Sequence, residues 1–332
     1  MQPIQSDHRG TYVVTYDVAS RLQSFRAKGF LVPPQNDLLF ERFHMSLFQR
    51  IQQALPGITI DTIEMSELRR KIWEQVEGRV TDLGQQFVLS TCLEIADLNP
   101  KSEGLILNIN RLFNTVGVMI GYGPRPGFDP LSKQLDELAQ EIGQRSVVLI
   151  EDGAFTGGTL KFVFRELESR GIKVTAIIVG FCCNGSRSAI KEVFDGEIVM
   201  VHPIKNLIDW IPDHDLIPFS PNCGRVLGEQ ISQSFMPIKT KDGFSCAYPY
   251  ILPFGKIEEW ASLPTEGARD LSRLCLDTSI EIFSRVGPEM RIGELLGKNP
   301  RVSLPLGIST LGQLPPLEMG IVAFLEQIRK TI

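Results

Sequence analysis

Apolar positions along this chain follow a helical period at first and change character near residue 86. Between 38 and 51 they recur at three- and four-residue spacing, which predicts a helix. A second helix is predicted over 64–77, and Pro33-Pro34 and Pro56-Gly57 interrupt the pattern. His44 falls inside the first apolar stripe and reads as a core or boundary residue. From 86 onward, apolar runs predict strands over 87–96, 105–109 and 116–121, with a turn at 99–104 and a hairpin between the first two. Residues 121–127 (GYGPRPG) read as a rigid loop. Then come an amphipathic helix over 131–142, a strand over 147–150, a helix over 160–170 stopped by Gly171, a strand over 174–181, a helix over 186–194 and a strand over 198–202. Strand–helix alternation across 115–202 implies a parallel, doubly wound sheet, whose sites lie at the carboxyl ends of its strands.

Past Pro203 the alternation stops. Pro212, Pro218, Pro221, Pro237, Pro249 and Pro253 exclude long helices through this stretch. A long helix is predicted over 263–286 and another over 315–332. The chain thus reads as a helix-rich mixed segment (1–86), an α/β core (87–202), and an irregular lobe with a helical appendage (203–332).

Composition narrows the class. The chain has 332 residues, 43% of them hydrophobic and 22% charged, with a net charge of −5. This is the balance of a globular protein with ample core, and no basic field argues for a nucleic-acid partner. No apolar run approaches the ~18 residues of a membrane span. The N-terminus is polar and lacks a signal-peptide core, so a cytoplasmic protein is expected. Six scattered cysteines show no zinc spacing and read as reduced, structural thiols.

The densest chemistry lies at 147–160, VVLIEDGAFTGGTL. An apolar strand runs into two carboxylates, Glu151 and Asp152, and then into a Gly/Thr loop that opens a helix. Glycines let backbone amides approach a phosphate, and the helix N-terminus favours negative charge. Two carboxylates suit vicinal hydroxyls, or a Mg²⁺ ion held between them and a diphosphate. No Gly-Lys-Ser/Thr closes the loop, so it is not a P-loop. Two acids in one site also predict a raised pKa for one of them without ligand.

This segment resembles the signature of type I phosphoribosyltransferases, which bind 5-phosphoribosyl-1-diphosphate (PRPP). The resemblance covers about a dozen residues. It implies a type I phosphoribosyltransferase-like fold, with the lobe after 203 as a hood over the acceptor. It implies that Glu151 and Asp152 hold the ribose hydroxyls and, directly or through water, Mg²⁺. It implies that Ala154, Phe155, Thr156, Gly157, Gly158 and Thr159 wrap the 5-phosphate, and that the protein is a homodimer, as family members commonly are. A diphosphate loop follows an earlier strand in that family. Its best match here is 121–127, with Gly123 offering an amide and Arg125 a bidentate fork.

Two departures from the family stand out. The family's long mobile hairpin should lie between the diphosphate loop and the acidic motif, yet only one helix separates 127 from 147. Either that lid is missing, or 105–127 is the hairpin and the diphosphate loop lies nearer 97–102. In 6-oxopurine members an Asp base precedes the first motif Thr, where this chain has Phe155, which argues against that activity.

The acceptor side is sparser. Lys205 to Phe219 (KNLIDWIPDHDLIPF) is a candidate hood. In it Trp210 either stacks on a base, with Lys205 or Asp213 reading its edge, or anchors the lobe to the sheet. Asn222-Cys223-Gly224-Arg225 offers a second anion-binding arrangement, a single Arg beside a Gly. The expected function is transfer of phosphoribose to or from an unidentified small acceptor. The alternatives are a non-catalytic PRPP or nucleotide sensor, and an enzyme that cleaves nucleotides by the reverse type of reaction.

Overall fold

The computed structural model describes residues 10–79, 86–96, 104–308 and 314–332. Its centre is a five-stranded, all-parallel sheet in the spatial order Gly104–Ile106, Gln86–Ser90, Ser146–Ala154, Lys173–Cys183, Glu197–Ile204. The strand that carries the acidic motif is therefore the middle one. Its residues alternate between two cores, as a period of two requires. Val147 and Leu149 join a core built with helices Leu131–Ile142 and Gly158–Glu168. Val148 and Ile150 join another, covered by helix Met65–Glu77 through Leu68, Ile72, Trp73 and Val76. The sheet is thus covered on both faces, which is why its strands read as continuous apolar runs.

The segment before 86 is not a separate unit. Thr11–Tyr16 is the middle strand of a three-stranded parallel sheet, between Leu207–Pro212 and Thr59–Glu64. Helix Leu38–Ala54 packs on the long helix Thr265–Val286, and Ile321–Arg329 packs on that same helix. The first and last thirds of the chain share one large core.

The expected hairpin lies elsewhere. Gln86–Ser90 and Gly104–Ile106 run parallel, and a short helix at Leu93–Ala96 replaces the end of the predicted first strand. Antiparallel pairing instead joins Ile109–Phe113 to Met119–Pro124, with Arg111 opposite Tyr122. Within this third, six-stranded sheet Ile109–Phe113 also pairs with Arg225–Ile231, whose partners include Cys246–Tyr248 and Ser234–Pro237. So 121–124 is strand, not loop. After Pro203 the proline-rich stretch forms short strands and one 3-10 turn, Asp213–Leu216, as its prolines require. Among the described residues no helix is long and apolar enough to cross a membrane.

Candidate functional site

The central strand ends at Ala154, and the chain turns through Phe155 and Thr156 into Gly157. Gly157 has φ +75°, the left-handed conformation that L side chains avoid, and a Cβ there would sit 3.0 Å from the Ser186 carbonyl oxygen. Helix Gly158–Glu168 starts at the next residue, so its first amides lack intrahelical acceptors where the loop opens. A Cβ on Gly158 would lie 2.9 Å from the Tyr122 hydroxyl, so the hairpin closes tightly over this turn.

The turn forms one end of a cleft of about 390 Å³. Every residue from Glu151 to Thr159 lines it, including Ala154, Phe155, Thr156, Gly157 and Gly158. Phe155 is 42% exposed. Asp152 accepts a hydrogen bond from the Gly153 amide at 2.7 Å, and the Cys92 thiol approaches its other oxygen at 3.4 Å. Glu151 lies against Asp152, and its Oε2 is buried with no hydrogen-bond partner among the described residues. Loss of hydration, and then the Asp152 charge, raise the Glu151 pKa well above the usual carboxylate range.

Arg125 also lines the cleft. It follows the strand Met119–Pro124, and its Nη2 donates to the Thr91 carbonyl at 2.7 Å. Its Nη1 is buried and unpartnered among the described residues. Gly123 takes a different place from the one expected. It is buried in the hairpin, where a Cβ would run into Leu112, and it does not line the cleft. Thr91, just past the strand beside the central one, does line it. The alternative diphosphate loop at 97–102 lies outside the described residues.

The hood residues separate. Trp210 lines the cleft, packs edge-to-face on Phe181 with ring centroids 4.6 Å apart, and donates from Nε1 to Thr15 Oγ1 at 3.0 Å. It is both a wall of the cleft and an anchor to the sheet. Lys205 is exposed and is not part of the cleft wall. Asp213 is fully buried, because its Oδ1 accepts the amides of Asp17 and Val18 at 2.9 and 2.8 Å. It caps the turn after the first strand and cannot read a ligand edge.

Asp213 belongs to a buried polar network that the sequence did not announce. Asp17 accepts from Arg21 Nε at 2.5 Å and lies 2.7 Å from His214 Nδ1. Arg21 also pairs with Glu94 at 2.7 Å, as does Arg301 at 2.6 Å. Burial opposes ionisation of Asp17, yet Arg21 and His214 hold its pKa far below the carboxylate range. Burial, followed by the Asp17 charge, drives the Asp213 pKa the other way, well above the usual carboxylate range. Burial also lowers His44, which sits 2.8 Å from Asp213 Oδ2, to about 4. Donor atoms of Asp17, Asp213 and His214 lie within 4.8 Å of one another. Within the network Arg21 and His214 bond the two oxygens of Asp17, and Asp213 meets two backbone amides through Oδ1 and His44 through Oδ2.

The wall facing the motif was missed almost entirely. Arg111, Arg225, Phe113, Tyr250 and Trp260 line it. Only Arg225, beside Gly224, carried any sequence signal. No protein-family model matches this chain, and neither does any curated protein.

Proposed function

We infer that this protein is a phosphoribosyltransferase of the type I kind. It would bind PRPP with Mg²⁺ in the cleft and move phosphoribose between diphosphate and a base or other small acceptor. One observation carries the reading: an unpartnered, buried Glu151 oxygen stands beside Asp152, directly before a left-handed glycine and a helix N-terminus. Acceptor-only groups next to donor-rich backbone suit a sugar phosphate, with hydroxyls at one end and an anion at the other.

In this reading Glu151 and Asp152 accept the ribose hydroxyls and would hold the metal, directly or through water. The amides from Phe155 to Thr159 would take the 5-phosphate. The free Nη1 of Arg125 would meet the diphosphate, while its bond to Thr91 keeps the fork in place. Mg²⁺, when bound, would offset the charge that builds on the leaving diphosphate. The bond from C1 of the ribose to the diphosphate oxygen breaks and a bond to the acceptor forms. The residues contribute fixed charges around an oxocarbenium-like centre.

Calorimetric titration with PRPP and Mg²⁺ tests the site, with Asp152→Asn beside the wild type. Saturable binding that the variant loses supports the reading, and a folded wild type that binds no PRPP removes it. A non-catalytic PRPP sensor is the second reading. Phe155 favours it, since an apolar side chain is exposed where 6-oxopurine members of the family place their base. Diphosphate release on addition of acceptors separates the two.

A further inference from the structure

Arg111 and Arg225 stand side by side on the wall of the cleft that the acidic motif also lines. Val226 is in register with Leu112 on the neighbouring parallel strand, which places the preceding residues, Arg225 and Arg111, next to each other. Leu112 and Val226 are buried together in a small core, so alternation turns both arginines to the opposite face, toward the cleft. Phe113 shares a small part of that wall. The Arg225 guanidinium lies 4.2 Å from the ring centre of Trp260, 4.6 Å from that of Phe113 and 5.1 Å from that of Tyr250. Its Nε donates to the Tyr250 hydroxyl at 3.0 Å. Among the described residues neither arginine has a salt bridge, and the Nη atoms of Arg225 have no hydrogen-bond partner.

Like charges on adjacent strands repel, and rings around a guanidinium displace its water. Such a pair favours an anion with two oxygens in a plane, which a guanidinium fork matches. Asp209, which feels the charge of both arginines, is 8% exposed and makes its hydrogen bonds to other groups, Ser262 Oγ at 2.6 Å and the Trp210 amide at 2.8 Å. The same cleft presents the rings of Trp210, Trp260 and Tyr250. We propose that this wall is the acceptor subsite and that the acceptor is a planar ring bearing a carboxylate, held by Arg111 and Arg225. The word acceptor rests on the phosphoribosyltransferase reading; the preference for a planar carboxylate does not.

Tryptophan fluorescence provides the test. The chain has three tryptophans; Trp73 is buried beneath the central sheet, while Trp210 and Trp260 line the cleft. The probes are nicotinate against nicotinamide, and orotate against uracil, pairs that differ chiefly in the carboxylate. Saturable quenching is expected at roughly tenfold or more lower concentration for the acid of at least one pair, the scale of a charge-assisted hydrogen bond. Arg225→Met should abolish that preference. Arg111→Gln, at an exposed position, should weaken it several-fold without risk to the fold.

Equal affinities within both pairs would overturn the proposal. So would a preference that survives both substitutions. Loss of PRPP binding in Arg225→Met, with no carboxylate preference in the wild type, would assign the arginines to diphosphate instead. PRPP calorimetry on the same samples keeps the two readings apart. A protein that selects the carboxylate but binds no PRPP loses only the transferase reading. One that binds PRPP and ignores the carboxylate loses only this one.

Discussion

Arg125 donates from Nη2 to the carbonyl of Thr91 at 2.7 Å, and so ties the hairpin Ile109–Pro124 to the end of the strand beside the acidic motif. The bond leaves the other terminal nitrogen buried and without a hydrogen-bond partner among the described residues. A buried cationic donor without a partner is costly unless a ligand completes it. Arg125→Gln should therefore weaken Mg²⁺·PRPP binding by ten- to a hundredfold, the scale of about 1.5–3 kcal/mol for a hydrogen bond to a charged group. Calorimetry measures the affinity. A melting temperature close to that of the wild type would place the loss in the site rather than in the fold.

The turn that enters helix Gly158–Glu168 depends on its backbone. Gly157 adopts φ +75°, and a side chain there would press on the Ser186 carbonyl. Gly157→Ala should cost about 1–2 kcal/mol in conformational strain alone. It should also weaken PRPP binding, because the amides beside it shift. Gly171 gives the control, since it also has positive φ (+73°) but open space around it, far from the cleft wall. Gly171→Ala should lower the melting temperature and leave PRPP affinity unchanged. Equal losses of affinity in both would separate the turn from ligand binding.

Glu151 links the site to pH with opposite signs for stability and for binding. Its pKa is raised in the folded protein, chiefly by burial and then by Asp152. The folded state therefore holds a proton that the unfolded state releases near the ordinary Glu value of about 4.3. The stability this proton gives is full below that value and is lost as pH rises through the folded pKa. Glu151→Gln should thus stabilise the protein at neutral pH, with the gain vanishing in acid; denaturant unfolding at several pH values reads this. Ligand binding needs the charged carboxylate, so PRPP affinity should fall as pH drops from neutral. A flat affinity profile would separate Glu151 from the ligand.

In the buried network, two neighbouring aspartates should respond differently to the same change. Burial and the Asp17 charge raise the Asp213 pKa, which favours a protonated carboxyl, and its Oδ1 accepts two backbone amides. An amide can replace a protonated carboxyl there, so Asp213→Asn should cost less than about 1 kcal/mol, near the scale of a single neutral hydrogen bond. Asp17 is ionised between Arg21 and His214. Asp17→Asn removes a buried charge that Arg21 and His214 both contact, leaving Glu94 and Asp215 as their remaining acids, and should cost about 3 kcal/mol, the low end for a broken buried pair. Chemical denaturation of the two variants would show the contrast. A larger loss in Asp213→Asn than in Asp17→Asn would mean that the proton sits on the other aspartate.

The motif was legible because its chemistry is local. An apolar strand, two acids, a left-handed glycine and a helix start all fall between residues 146 and 168. The geometry that matters there is backbone dihedrals and unpaired amides, which short runs of residue type dictate. The helices over 38–51, 64–77 and 263–286 were legible for the same reason, since their apolar faces repeat every three to four residues. The parallel central sheet followed from strand–helix alternation. The hairpin was placed one strand too early, because 87–96, 105–109 and 116–121 share the same apolar character, and period-two patterns do not say which strands pair.

Tertiary structure alone decided the opposite wall and the polar network. Asp17 and His214 are 197 residues apart in sequence, and the pairing of strands Thr11–Tyr16 and Leu207–Pro212 brings them together. Arg111 and Arg225 become neighbours only when two distant strands align. Asp213, the hood residue that sequence singled out, is sealed by amides from the other end of the chain. Sequence by itself determined a left-handed glycine turn and a helix start just after two acids, because backbone conformation is encoded by neighbouring residues. What faces that loop was decided by long-range strand pairing, because ion pairs and parallel registers join residues that no local period connects.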